Sequence, residues 1–162
     1  MGKAESACLI AVRVKGSAGL RQQTRAALES LNLKRRNQAI ILPNNPSVRG
    51  VLRSLKDTLI WGYATEEMLT SLLYSRSRVE GSSRLTDAEA KKKFGVEDLR
   101  ALSRSLSSGV LKPQELRRRG VSTVFNLHPP KQGFRSLKDP AGRGGDLGSR
   151  QGSLKEVLMR MI

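Results

Sequence analysis

Apolar and polar positions along the chain fall into two rhythms. Cys8, Ile10, Val12 and Val14 share one parity and Leu9, Ala11, Arg13 and Lys15 the other, the period of two expected of a strand. Gly16 to Gly19 break that run. Leu20, Thr24, Ala27, Leu28 and Leu31 then recur at helical spacing, with Arg21, Arg25 and Glu29 aligned on another face. Gln38 to Leu42 is a short β-branched run ending at Pro43, and Asn45-Pro46 supplies an N-cap and first position for a second helix. Its stripe is Val48, Val51, Leu52 and Leu55, which leaves Arg49, Arg53 and Lys56 outside. Thr58 to Tyr63 reads as a third strand.

Beyond Ala64 the rhythm is helical. Thr65, with Glu66 and Glu67 behind it, caps a helix whose core side is Met68, Leu69, Leu72 and Leu73. Thr86-x-x-Glu89 is a capping box opening a short helix through Lys93, and Val96, Leu99, Leu102 and Leu106 stripe another that stops near Gly109. Pro113 to Arg119 adds a turn or two. Val121 to His128 alternates like a strand, after which residues 129–152 hold three of the six prolines and six of the fifteen glycines. Such a stretch cannot bury a core of its own and is expected to be disordered alone or ordered on an anionic partner. Ser153-x-x-Glu156 opens a terminal helix with Leu154, Val157, Leu158 and Met161 on one side. The expected organisation is a βαβαβ core over 1–64, a helical extension over 65–120, and a strand, basic tail and terminal helix over 121–162.

Charge sharpens this picture. The 162 residues carry 30 Lys and Arg against 14 Asp and Glu, a formal net charge of +16. It is unevenly spread: 11 basic against 3 acidic residues over 1–64, 8 against 7 over 65–111, and 9 against 3 over 112–150. Two strongly basic blocks around a near-neutral one imply two polyanion-facing surfaces. With three Phe, two Tyr and one Trp, stacking on an aromatic platform cannot dominate recognition. Trp61 and Phe134 are better read as core packing than as base-stacking groups.

The inventory for catalysis is thin. His128 is the only histidine and has no companion base in sequence. Cys8, the only cysteine, sits among apolar residues as a small hydrophobe, which excludes an internal disulfide or a multi-thiolate zinc site and fits a reducing compartment. The acids Glu66, Glu67, Asp87, Glu89, Glu97 and Asp98 lie mainly at helix N-termini, where they complement the dipole. Gly142 to Gly148 lacks both the Lys-Ser/Thr ending of a P-loop and the dinucleotide-binding spacing. It is either a flexible linker or a place where backbone amides approach phosphates beside Arg143 and Arg150. No catalytic residue, metal, cofactor or small-molecule substrate is expected. No apolar stretch is long enough to span a membrane, and Arg13 and Lys15 make the N-terminal run a strand rather than an export signal.

Four segments together are recognisable: LIAVRVKG (9–16), PNNPSVRGVLRSLKDTLIWG (43–62), FNLHPPKQGF (125–134) and GGDLGSR (144–150). They resemble the archaeal and eukaryotic form of the universal large-subunit ribosomal protein thirty family, over nearly the whole chain. The long basic N-terminal extension of eukaryotic members is missing, which favours the archaeal type. The resemblance implies an α+β fold, a small three-stranded antiparallel sheet packed on two helices and partly ferredoxin-like. It also implies large-subunit rRNA as partner, a location in the cytoplasm on the ribosome near 5S rRNA, and neighbouring large-subunit proteins. The expected phosphate contacts are Lys15, Arg21, Arg25, Lys34, Arg35, Arg36, Arg49, Arg53 and Lys56 in the core. Arg117, Arg118 and Arg119 follow in the extension, and His128, Lys131, Arg135, Lys138, Arg143 and Arg150 in the tail. An architectural DNA-binding protein or a ribosome assembly factor would carry the same charge.

Overall fold

A computed structural model describes residues 6–79, 83–150 and 153–162. Three central strands, β1 (Cys8–Arg13), β2 (Gln38–Pro43) and β3 (Leu59–Tyr63), pair antiparallel with β1 in the middle. The helices α1 (Gln22–Ser30) and α2 (Pro46–Ser54) connect them. This is the expected small antiparallel sheet on two helices, and the described residues widen it. β4 (Val124–Asn126) joins the free edge of β2 antiparallel and β5 (Gly148–Ser149) joins β3 parallel, giving the order β4-β2-β1-β3-β5. Of the strand expected over 121–128, only Val124–Asn126 enters the sheet; Val121 instead bridges to Val79.

Leu9 and Ala11, on the parity shared with Arg13 and Lys15, are as buried as Cys8 and Ile10. Both faces of the sheet are covered, so β1 has no solvent side. Leu9, Ala11, Ile40, Leu42, Leu59 and Trp61 pack against Leu28, Leu52 and Leu55 of the α1 and α2 layer. The opposite parity, Ile10, Val12, Ile41 and Ile60, packs against a larger layer. That layer comprises α3 (Glu66–Arg76), α4 (Asp87–Phe94), α5 (Leu99–Ser108), α6 (Pro113–Arg118) and α7 (Leu154–Met161). One face of the central sheet, the later helices and the tail therefore share the larger core, and α1 and α2 enclose a second one on the other face.

Caps set several of these ends. Thr65 Oγ1 accepts from Met68 N, Thr86 and Glu89 form the expected capping box, and Asp98 accepts from Ala101 N at 2.7 Å. Gly95 and Gly109 terminate α4 and α5 with left-handed backbones. Two expected caps differ. Asn45 and Ser153 occupy the N-cap positions without a side-chain bond to the helix. At Ser153 the backbone, φ −112° and ψ 4°, is not the extended one a capping hydroxyl requires, so no capping box with Glu156 forms.

Candidate nucleic-acid interface

The register of the sheet brings together basic segments that lie far apart in sequence. β1 ends where β2 and β3 begin, β4 ends beside the start of β2, and β5 starts beside β3. One end of the sheet thus carries Lys15 after β1, Lys34-Arg35-Arg36 before β2, Lys56 before β3 and His128 after β4. Leu127 N–H donates to Asn37 O at 2.9 Å and Gln38 Nε2 to Asn126 Oδ1 at 2.9 Å, tying the 34–36 loop to the segment entering the tail. Gly148 lies against Lys56, where a Cβ would stand 3.8 Å from the Lys56 carbonyl oxygen. Lys34, Arg35, Arg36, Lys56 and His128 are exposed, and Lys15 is half-buried.

A residue absent from the expected contacts organises this end. Arg13 is buried at 3% exposure, and its guanidinium donates to Leu33 O (2.7 Å), Lys15 O (2.9 Å) and Ser17 Oγ (2.9 Å). Burial lowers its pKa from the ordinary value, and no carboxylate neutralises it among the described residues. One side chain therefore pins both basic loops, 15–17 and 33–36, while adding its own charge beneath them. In sequence it only shares a parity with Leu9, Ala11 and Lys15. Only the cover of α1 over that face shows it to be buried.

Around this end, Arg21, Arg25, Arg49 and Arg53 stud the outer side of the α1 and α2 layer; Arg49 is half-buried and the others are exposed. Trp61 is 6% exposed under that layer and Phe134 is half-buried against the main core, so both serve in packing.

The tail differs from the expectation that it would order only on an anionic partner, because the described residues 129–150 fold on the protein itself. Lys131 N–H donates to Arg160 O at 3.1 Å, Asp146 N–H to Ser136 O at 3.0 Å, and Arg150 N–H to Trp61 O at 2.7 Å. Gly145 packs so closely on Asp139 that a Cβ would lie 1.8 Å from its carbonyl oxygen. Gly145 thus serves close backbone approach within the protein. Lys131, Arg135, Lys138 and Arg143 are presented to solvent. Arg150, expected along the RNA path, is instead 8% exposed and set against Asp146. A buried carboxylate has neutralised it and it is not a free phosphate contact. In the helical layer, Arg117, Arg118 and Arg119 are exposed, and the Arg119 guanidinium sits 5.1 Å over the Phe94 ring.

Exposed cations thus crowd a scaffold of one sheet between two helical layers, and among the described residues no three His, Cys, Asp or Glu side chains converge to hold a metal. This is the build of a basic scaffold protein that associates with a polyanion. The chain belongs to the ribosomal protein L30p/L7e family, as its relatives over nearly the whole chain show; that family's model matches residues 9–58, from within β1 to the residue before β3. Similarity to whole members extends much further. The large ribosomal subunit protein uL30 of Ignicoccus hospitalis is 35% identical over 155 residues, covering 93% of this chain and 95% of that one. Its counterpart in Thermofilum pendens is 34% identical over 158 residues (96% and 99%), and that of Methanosphaera stadtmanae 30% over 151 residues (93% and 97%). The family is structural and non-enzymatic, and the relatives named here are all archaeal.

Proposed function

We propose that this chain is a structural constituent of the large ribosomal subunit, held against large-subunit rRNA near 5S rRNA and packed beside other large-subunit proteins. Full-length similarity to large-subunit proteins supports the first part. The observation that carries the RNA contact is the gathering of Lys15, Lys34, Arg35, Arg36, Lys56 and His128 at one end of the sheet. Cations from three separate connections, with the His128 ring beside them, make a surface of several phosphate spacings, whereas any one of them alone would be a solvated turn. Arg21, Arg25, Arg49 and Arg53 extend it along the helices, and Lys131, Arg135, Lys138 and Arg143 along the tail. Arg117, Arg118 and Arg119 belong to the opposite layer. Because the described tail folds on the protein, binding does not have to order that segment, and shape complementarity contributes alongside charge.

The test is the salt dependence of binding to protein-free archaeal large-subunit rRNA. Replacing Lys34, Arg35 and Arg36 by Ala should flatten the slope of log affinity against log salt by about two to three units, since each phosphate contact contributes about 0.9 or less. An unchanged slope removes this end of the sheet from the footprint. Sedimentation of a lysate at high salt gives the cellular check: stoichiometric presence in the large subunit is expected, and presence only in lighter fractions would overturn a resident role.

A further inference from the structure

Both ends of the 33–37 loop are gripped by one residue. Arg13 Nη1 donates to Leu33 O at 2.7 Å, and the Arg13 carbonyl accepts the Asn37 N–H at 2.7 Å. Lys34, Arg35 and Arg36 lie between these grips, and all are exposed. Asn37 takes a left-handed backbone, φ 63°, as the chain turns into β2. The same guanidinium donates to Lys15 O and Ser17 Oγ, and the next residue, Val14, donates its N–H to Thr58 O at 3.1 Å. The end of β1 is thus the joint of the connections 14–21, 31–37 and 55–58, which carry Lys15, Lys34 to Arg36, and Lys56.

We infer that Arg13 is a positioning residue for the RNA-binding end of the sheet: it holds Lys15 and the 34–36 triplet as one preformed site, so that its loss weakens binding without removing a phosphate contact. The inference rests on the proposed function. At 3% exposure Arg13 lies beneath the loops and is no contact itself. Its neighbours of the same parity, Leu9 and Ala11, are fully buried apolar residues, and an apolar residue at position 13 would serve packing as well. A guanidinium buried there without a carboxylate among the described residues carries a desolvation cost that packing alone would avoid. What only its fork supplies is simultaneous reach to acceptors in two loops. Three adjacent cations in a free loop repel one another, and ordering that loop and its long side chains on RNA costs affinity. Holding the loop backbone at both ends in advance lowers that cost. The Leu33 and Lys15 carbonyls are also turned onto the guanidinium, which keeps two acceptors away from incoming phosphates.

The test measures affinity and salt slope on protein-free archaeal large-subunit rRNA for the full chain and its variants. These are Arg13→Met, Arg13→Lys, the Lys34, Arg35 and Arg36 to Ala changes with and without Arg13→Met, and Leu102→Ala, a buried leucine of α5 on the other face of the sheet. Thermal melts set a temperature at which every variant is folded. Arg13→Met is expected to bind about tenfold more weakly with a slope within about half a unit of the unaltered protein's, because the loops lose their hold while every phosphate contact remains. Arg13→Lys keeps the charge without the fork and should bind nearly as weakly. The triplet changes should cost less in the Arg13→Met background than alone, since cations on an unheld loop contribute less. Leu102→Ala should bind normally. Unchanged affinity in Arg13→Met, full recovery by Arg13→Lys, a slope lowered by a whole contact, additive losses in the combined variant, or an equal loss in Leu102→Ala would each overturn the inference and leave the proposed function standing. A slope indifferent to the triplet changes overturns the RNA contact on which the inference rests.

Discussion

Asp146 and Arg150 form an ion pair of 2.8 Å, Oδ1 to Nη1, with side chains 0% and 7% exposed. Asp146 Oδ2 also accepts the Arg135 N–H at 2.6 Å, so one buried carboxylate ties the two arms of the tail to each other. The Arg150 N–H, bonded to Trp61 O, ties both to β3. Asp146→Asn would leave a buried guanidinium unpaired and should cost about 3–5 kcal/mol in urea unfolding. The double change Asp146→Leu with Arg150→Met should cost less than the sum of the single changes, because no lone charge remains buried.

Gly62 lies where β3 passes under the tail. A Cβ there would stand 2.6 Å from the Arg150 carbonyl oxygen and 3.2 Å from Leu154 Cδ2. Gly62→Ala should force β5 and the start of α7 away from β3, costing about 1–3 kcal/mol. Limited proteolysis should cut within residues 129–150 sooner than in the unaltered protein, while the α1 and α2 layer stays protected.

Arg13→Met keeps apolar volume in β1 but removes three hydrogen bonds and leaves the Leu33 carbonyl unpaired. Thermal or urea unfolding should show a loss of about 1–3 kcal/mol. Arg13→Lys should recover only part of it, since a single ammonium cannot span acceptors that a guanidinium fork reaches at once. Amide exchange in residues 33–37 should quicken in both variants.

Cys8 lies at 1% exposure with its Sγ donating to Leu106 O at 3.1 Å, and burial pushes its pKa up to about 11 from 9.0. The folded protein holds the proton that the unfolded chain releases above pH 9, so this group's stabilisation is complete below pH 9 and is lost towards pH 11. Between those values the unaltered protein should lose up to about 1.4 kcal/mol more per pH unit than Cys8→Ala does. Thiol reagents at pH 8 should label Cys8 only on unfolding.

Local signals were legible where one residue sufficed to set a conformation. Pro46 starts α2, the Thr86–Glu89 box starts α4, and Gly109 ends α5, because a fixed φ, a reciprocal cap and a left-handed backbone are written in single side chains. Asn45 and Ser153 show the limit. Their types suit a cap, yet neither side chain bonds to its helix: the Ser153 backbone is not extended, and Asn45 makes no such bond although its backbone is.

The sequence by itself determined the central β1–α1–β2–α2–β3 order, the net charge and the scarcity of catalytic groups, since these follow from short-range periodicity and composition. Only the tertiary structure decided which cations face outward. Arg13 and Arg150 read in sequence like Lys34 or Arg143, but the second helical layer and the folding of the tail onto β3 enclosed them among carbonyls and a carboxylate. Strand register, a long-range property, also gathered the connections of β1 to β4 at one end of the sheet. Burial and register depend on residues tens to a hundred positions away, which no local window contains.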